Sequence, residues 1–183
     1  VYNTGGSDLT FTINELGNSV SNINVLALTY GVDMNEEYLN TIAAINQYFT
    51  NYTLTTTSTT TSTGLQSELV GKDVFLMPEP ENGSASVFLN YSVPLQNFVN
   101  NGGTVIFCGA SSSYTACILN TGLLSGNYAS NAWNSNVSVI NTSTSLTDSI
   151  PLSYLASNAT YTMNITNPDK TELISHNNND VVT

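Results

Sequence analysis

The sequence predicts an α/β protein with a three-layer, doubly wound and mostly parallel sheet. Apolar runs of strand length alternate with segments of helical periodicity between residues 23 and 124, the pattern of parallel strands joined by right-handed crossovers. The runs are apolar on both faces, as in strands that helices cover on both sides. An N-terminal β segment precedes the alternation. Short, polar-flanked strands follow it, over residues 136–141, 161–165 and 173–175.

The first strand and helix have the clearest patterns. Residues 23–30 are continuously apolar in their middle, which predicts a buried strand that ends at Gly31. Asp33 and Glu36 have the spacing of a capping box, which predicts the start of a helix. The main apolar residues of this amphipathic helix recur at helical spacing: Tyr38, Ile42, Ile45 and Phe49.

A Thr-rich stretch, residues 52–63, lies where a second strand is due. The β-branched side chains suit an exposed edge strand, and a mucin-like linker is the alternative. We favour the strand, because a helix-like stretch over residues 64–71 follows at once.

The alternation continues with two more strands. Residues 73–78 predict a buried strand, and the loop after it, residues 79–83, lies where parallel sheets usually bind ligands. A helix begins near Ser86, is interrupted at Pro94 and ends in a Gly-rich stop. Two further elements complete the alternation: a strand over residues 104–109 and a helix over residues 112–124.

The N-terminal segment is predicted to be a separate unit. A Gly turn precedes the alternating residues Leu9, Phe11 and Ile13, which predict a half-buried strand. The segment resembles the closing strands of Ig-like β-sandwich modules in bacterial surface proteins, whose NTG-x-x-x-L-x-x-x-I pattern it matches. This resemblance implies that residues 1–20 end a sandwich or donate a strand to one. Residues 21–183 are then the α/β domain.

The charge composition excludes several classes of partner. Thirteen acidic residues stand against two basic ones, Lys72 and Lys170, and the net charge is -11. Nucleic acids, anionic membranes and phosphorylated ligands are bound largely through Lys and Arg, so we do not expect them as partners. Only 8% of the chain is charged, and neutral polar residues supply its surface. We therefore predict a secreted or cell-surface protein without membrane insertion.

Seven Asn-x-Ser/Thr triplets could accept glycans in a suitable host, although a composition this rich in Asn, Ser and Thr produces about this many by chance. They begin at Asn51, Asn82, Asn90, Asn136, Asn141, Asn158 and Asn164.

Three blocks of the alternating region carry a family resemblance: residues 73–79, the helix over residues 95–103, and the strand over residues 104–108 with Gly109. In this order and spacing they resemble the class I glutamine amidotransferase-like superfamily, which has a flavodoxin-like α/β fold. The resemblance covers roughly residues 23–125. In catalytic members a Cys lies on a tight turn after a strand, and Cys108 holds the corresponding position.

The catalytic pattern is incomplete, so the resemblance is to a non-catalytic extracellular member. The family's Gly-x-Cys-x-Gly turn has Ile106 and Ala110 at its two Gly positions. The family's His-Pro-Glu signature is absent, and the chain's one histidine, His176, reads as a solvated loop residue. An even Cys count outside the cell favours a disulfide between Cys108 and Cys117. Two buried free thiols and a catalytic Cys108 are the alternatives.

Other candidate sites have weaker signals. The loop after the first strand lacks the Gly-rich cradles that hold nucleotides, so no cofactor is predicted. Glu79 and Glu81 are calcium candidates, against the alternative of a solvated acidic loop. Trp133 and the ten Tyr could stack on sugars, although such residues are more often in a core or scattered over a surface.

These features together predict a non-catalytic structural or adhesive module of an extracellular surface protein. Its N-terminal strand could pair with the sheet edge of another copy or of another surface protein, and so build a fibre or array by strand exchange. The alternatives are a hydrolase or amidotransferase relative that uses Cys108, and a glycan-binding module.

Overall fold

The computed structural model describes residues 22–109, 111, 113–156 and 160–183. Within them the chain forms two compact units, one ending at Leu124 and the other beginning at Ser125. The predicted N-terminal segment, residues 1–20, lies outside the described residues. None of the described helices is long and apolar enough to cross a membrane.

The first unit contains a four-stranded parallel sheet, so the predicted parallel sheet is confirmed. The strands lie in the order β2-β1-β3-β4, and the Thr-rich strand is at an edge, as predicted. Their bounds are β1 (Ile23–Leu28), β2 (Tyr52–Thr57), β3 (Val74–Met77) and β4 (Thr104–Phe107).

Helical segments connect these strands. The four α-helices and one 3₁₀ helix are α1 (Glu37–Tyr48), α2 (Ser62–Glu68), the 3₁₀ helix (Ala85–Tyr91), α3 (Ser92–Asn100) and α4 (Ala116–Asn120). Pro94 lies in the first turn of α3, where a missing N–H costs no helical hydrogen bond. The interruption predicted at Pro94 is therefore the junction of the 3₁₀ helix with α3. The helix predicted over residues 112–124 is present as α4, which is shorter than predicted.

The sheet of the first unit buries apolar side chains on both faces. Val25, Ala27 and Leu76 form a cluster against which residues of α1, including Ile42 and Ile45, are packed. Because side chains alternate along a strand, the neighbouring residues point to the opposite face. These are also buried: Leu26, Leu28, Phe75 and Met77.

The second unit is a six-stranded sheet in which every described pair is antiparallel, in the order β5-β8-β10-β9-β6-β7. Its strands are β5 (Gly126–Asn131), β6 (Asn136–Val139), β7 (Ser153–Leu155), β8 (Tyr161–Ile165), β9 (Ile174–His176) and β10 (Asn179–Val182). Asn177 and Asn178 both have positive φ angles, 50° and 62°, as the tight hairpin between β9 and β10 requires.

The two sheets refine the predicted fold class. The α/β class is confirmed, but the described strands divide between a parallel and an antiparallel sheet and do not join one mostly parallel sheet. The antiparallel sheet has its own core, in which Val137, Val139 and Ile174 are buried with Ala132 and Leu173. A separate core explains why the later strands need no place in the parallel sheet.

Candidate functional site

The strand order of the parallel sheet reverses direction between β1 and β3. The chain runs from β1 to one side of the sheet for β2 and to the other side for β3, and this reversal leaves a crevice where ligands bind in open α/β sheets. The loops after the two strands meet there. Val32 forms a β-bridge with Pro80, and the Gly31 carbonyl accepts hydrogen bonds from the backbone N–H groups of Glu81 and Asn82, each at 2.8 Å.

Gly31 makes this meeting of loops possible. Its φ angle is 76°, and a Cβ atom at this position would lie 2.5 Å from the Asn82 carbonyl oxygen. A larger residue would clash with backbone that cannot easily move. Any substitution at Gly31 should therefore separate the two loops that carry the site.

Asp33 organises the chain between β1 and α1. Its Oδ1 atom accepts hydrogen bonds from the N–H groups of Asn35, at 2.7 Å, and Glu36, at 3.3 Å. Glu36 makes no capping bond with its side chain, so only the Asp33 half of the predicted capping box forms. Helix α1 begins at Glu37, the residue after Glu36. The Glu37 carboxylate therefore lies near that of Asp33.

A cluster of carboxylates occupies the crevice. Asp33, Glu37 and Glu81 each contribute one carboxylate oxygen, and these oxygens lie within 4.8 Å of one another. We call these three residues, together with Glu79, the carboxylate cluster. The Glu37 Oε2 atom is buried and has no hydrogen-bond partner among the described residues. The unit's one lysine, Lys72, instead donates a hydrogen bond to Thr55 Oγ1 at 2.7 Å.

Burial and mutual repulsion change the acidity of this cluster. Burial is the main cause that raises the pKa of Glu79 to about 7, and the charges of Glu81 and Glu37 act in the same direction. A backbone hydrogen bond from Ser111 opposes the increase. Burial also raises the pKa of Glu37, with further increases from Glu81 and Asp33. The cluster therefore repels anions and holds some of its protons near neutral pH.

The oxygen-only chemistry of the carboxylate cluster suits a hard cation such as Ca²⁺. The calcium prediction for Glu79 and Glu81 stays a prediction. Asp33 and Glu37 were not predicted as possible ligands, although their spacing of four residues across a helix start, at the end of a buried strand, was an available signal.

Cys108 lies immediately after β4, where its N–H donates to the Met77 carbonyl at 2.9 Å. It packs against the apolar cluster beneath α1. Burial is the main cause that raises the pKa of its thiol to about 11, and the charge of Glu79 adds to the increase, whereas a hydrogen bond with Thr41 opposes it. A thiol in this setting stays protonated at neutral pH and is a poor nucleophile.

His176 is engaged within the antiparallel sheet. It lies on β9, with Nδ1 at 3.0 Å from the Asn136 carbonyl oxygen and Nε2 at 2.9 Å from Asn177 Nδ2. The loop position predicted for it is therefore wrong. The described part of the first unit contains Cys108 but no histidine, so it offers the thiol no imidazole base of its own.

The predicted disulfide between Cys108 and Cys117 is not formed: both cysteines are described, and both are free. Cys108 packs beneath α1, whereas Cys117 lies in α4, which contacts the 3₁₀ helix. Burial raises the pKa of the Cys117 thiol to about 11 as well. The alternative of two buried free thiols describes the structure in part: both thiols are free, but Cys117 is buried and Cys108 half-buried.

The remaining predicted residues are scattered. Leu9, Phe11 and Ile13 lie outside the described residues, so the assembly strand stays a prediction. Trp133 follows β5 and is 45% exposed. Of the Asn-x-Ser/Thr triplets, Asn158 is outside the described residues and Asn141 is half-buried. The asparagines of the others are exposed: Asn51, Asn82, Asn90, Asn136 and Asn164.

No protein-family model and no curated protein matches this chain. Among solved structures, the chain is similar to a protein from Bacteroides uniformis that is described as ThuA-like, with a TM-score of 0.58. The identity is 15%, and the match covers 89% of this chain and 71% of that chain. At this identity the similarity shows the fold alone. It confirms the predicted resemblance at that level, since the ThuA-like protein has a glutamine amidotransferase-like fold.

Proposed function

We propose that this chain is a non-catalytic structural or adhesive module of an extracellular protein. One observation carries the proposal: the thiol at the family's nucleophile position packs against the apolar cluster beneath α1 and has its pKa raised to about 11, in a unit whose described residues include no histidine. A nucleophilic Cys needs a nearby base or a lowered pKa, and Cys108 has the opposite environment. The alternative of a hydrolase or amidotransferase requires an activated thiol, and Cys108 does not provide one.

The extracellular setting is supported by composition. The chain carries 13 acidic and two basic residues, and its surface depends on neutral polar side chains. One of the lysines, Lys170, pairs with the buried Asp180 at 2.9 Å and is not free to bind an anion. Partners are therefore expected to be neutral or cationic surfaces, including other copies of the chain.

Assembly by strand exchange requires a sheet edge that can accept a strand. Among the described strands, β7 is at one edge of the antiparallel sheet. Leu152 and Leu155, at this edge, are 69% and 61% exposed. An extended apolar segment can add to such an edge through backbone hydrogen bonds while its side chains cover exposed leucines. The donor in this proposal is the segment that contains Leu9, Phe11 and Ile13.

Negative-stain electron microscopy of the full chain and of a variant lacking residues 1–15 tests this assembly. We expect filaments or regular arrays from the full chain and discrete particles from the deletion variant. A variant with Leu9, Phe11 and Ile13 replaced by Ser is the matched control, because it keeps the chain length and removes only the apolar side chains. Assembly that survives in both variants would contradict strand exchange.

A further inference from the structure

Three aromatic side chains form a row at one end of the antiparallel sheet. Tyr161, at the start of β8, lies between the other two. Its ring centroid is 6.4 Å from that of Tyr128 on β5, with an interplanar angle of 55°, and 5.7 Å from that of Trp133, with an angle of 81°. We call these three residues the aromatic row.

Trp133 is the exposed member of the aromatic row, and Tyr128 and Tyr161 are half-buried. Edge-to-face contact with Tyr161 holds the Trp133 ring in place, yet Trp133 remains 45% exposed. Trp side chains are usually among the most buried in a protein, so a half-exposed Trp held by its neighbours is an informative exception. Tyr128 of the row lies on β5, which is at the edge of the sheet among the described strands.

The two strands that carry Tyr128 and Tyr161 have only neutral polar side chains. Neither β5 nor β8 contains a charged residue. Asn131 of β5 pairs with Tyr161 in the strand register, so its amide lies on the same face of the sheet as that ring. The Tyr128 hydroxyl donates a hydrogen bond to Asn131 Oδ1, which orients this amide beside the ring. Such a surface has no group that would favour a phosphate, a sulfate or a carboxylate.

We propose that the aromatic row binds a neutral oligosaccharide. The apolar C–H faces of a sugar ring pack on the electron-rich faces of aromatic rings, and its hydroxyl groups exchange hydrogen bonds with amides and hydroxyls beside them. The row supplies the first kind of group, and the amide of Asn131, beside Tyr128, supplies the second. Anionic glycans are excluded because the charge of the chain is strongly negative. The proposal rests on the second unit and does not depend on strand exchange or on Cys108.

Tryptophan fluorescence gives a direct test, because Trp133 is the one Trp in the chain. The full chain is titrated with neutral tetrasaccharides of glucose, mannose, galactose, xylose and N-acetylglucosamine. We expect a saturable change in emission with at least one of them. Calorimetry of the same sugar should show binding weakened about tenfold or more in Tyr161→Ala, as expected when one stacked ring is lost, and nearly unchanged in Tyr161→Phe, which keeps the ring.

Two further variants make the test decisive. Trp133→Ala removes a half-exposed ring and tests the row even if Tyr161→Ala fails to fold. Leu146→Ala, at a residue that is 51% exposed in the same unit but outside the row, is the matched control and should bind normally. The proposal fails if no sugar gives a saturable signal in fluorescence or heat, or if Trp133→Ala binds as tightly as the unaltered chain. An assembly that still forms in either case would leave the proposed function standing.

Discussion

At the scale of single residues, Glu79 shows how the surroundings of a carboxylate at the end of β3 change its pKa. Burial, and after it the neighbouring carboxylates of Glu81 and Glu37, raise its pKa to about 7, and the first unit's one lysine is bonded elsewhere. The folded pKa of Glu79 thus exceeds its pKa in the unfolded chain, which is near 4.5. The folded state holds a proton that the unfolded state releases, so stability is full below pH about 4.5 and declines as the pH rises to about 7.

Replacement of Glu79 by Gln should remove this pH-dependent loss. We expect Glu79→Gln to raise Tm by about 2–6 °C at pH 8 and to leave it nearly unchanged at pH 4, where the unaltered side chain is protonated. Thermal unfolding of both proteins across this pH range measures the effect. Glu68→Gln, at an exposed position on α2, is the control. Equal Tm values for Glu79→Gln and the unaltered chain at pH 8 would show that the cluster is not strained.

The sequence predicted two residues of the carboxylate cluster as ligands, Glu79 and Glu81, but not the other two, Asp33 and Glu37. Glu79 and Glu81 follow a buried strand, and the rule that ligands bind at the C-terminal ends of parallel strands identifies them. Asp33 has a sufficient local explanation as a capping residue, and Glu37 a sufficient one as a residue of the first helical turn. Only the pairing of β1 with β3 brings all of them together, and no local pattern encodes that pairing.

At the scale of elements, an ion pair joins three segments of the antiparallel sheet. Asp180 on β10 is 4% exposed, and its Oδ2 atom accepts a hydrogen bond from the Ile165 N–H of β8 at 2.8 Å. Its carboxylate also accepts from Lys170 Nζ, in the loop between β8 and β9, at 2.9 Å. The Asp180 carboxylate is thus the partner of both a backbone N–H group, that of Ile165, and an ammonium group, that of Lys170.

Loss of Asp180 should therefore be costly. We expect Asp180→Ala to reduce the free energy of unfolding by about 2–4 kcal/mol, because it leaves a buried N–H and an ammonium without their partner. Urea unfolding followed by Trp133 fluorescence reports on this unit. Asp169→Ala, next to Lys170 on the exposed loop, should change stability by less than about 0.5 kcal/mol. A comparably small effect of Asp180→Ala would contradict this role.

The elements that the sequence predicted well are those whose pattern is long and regular. The twelve residues of α1 and the apolar runs of β1 and β3 have clear periodicity. The strand predicted over residues 173–175 is present as β9, whereas β7, also of three residues, was not predicted because it is too short to define a period. Their sheet also pairs strands far apart in the chain, such as β5 with β8. The six-stranded sheet depends on these long-range pairings, so it could not be derived from local patterns.

At the scale of the whole molecule, the chain has a four-stranded parallel sheet and a six-stranded antiparallel sheet, and its fold is similar to that of a ThuA-like protein. The first unit has a cysteine directly after β4, and this cysteine packs against apolar side chains from β1, β3 and α1. The proposed function rests on this setting, in which the thiol packs with the core.

The rate of Cys108 alkylation tests this account most directly. The full chain is treated with iodoacetamide at pH 7, and peptides that contain Cys108 and Cys117 are followed by mass spectrometry. A thiol with a pKa of about 11 is ionised to only about 0.01% at pH 7, so Cys108 should react at least about 100-fold more slowly than free cysteine. In urea without reductant, both cysteines should react fully, since they are free thiols. Labelling of Cys108 in the folded chain as fast as free cysteine, or faster, would contradict a non-catalytic role.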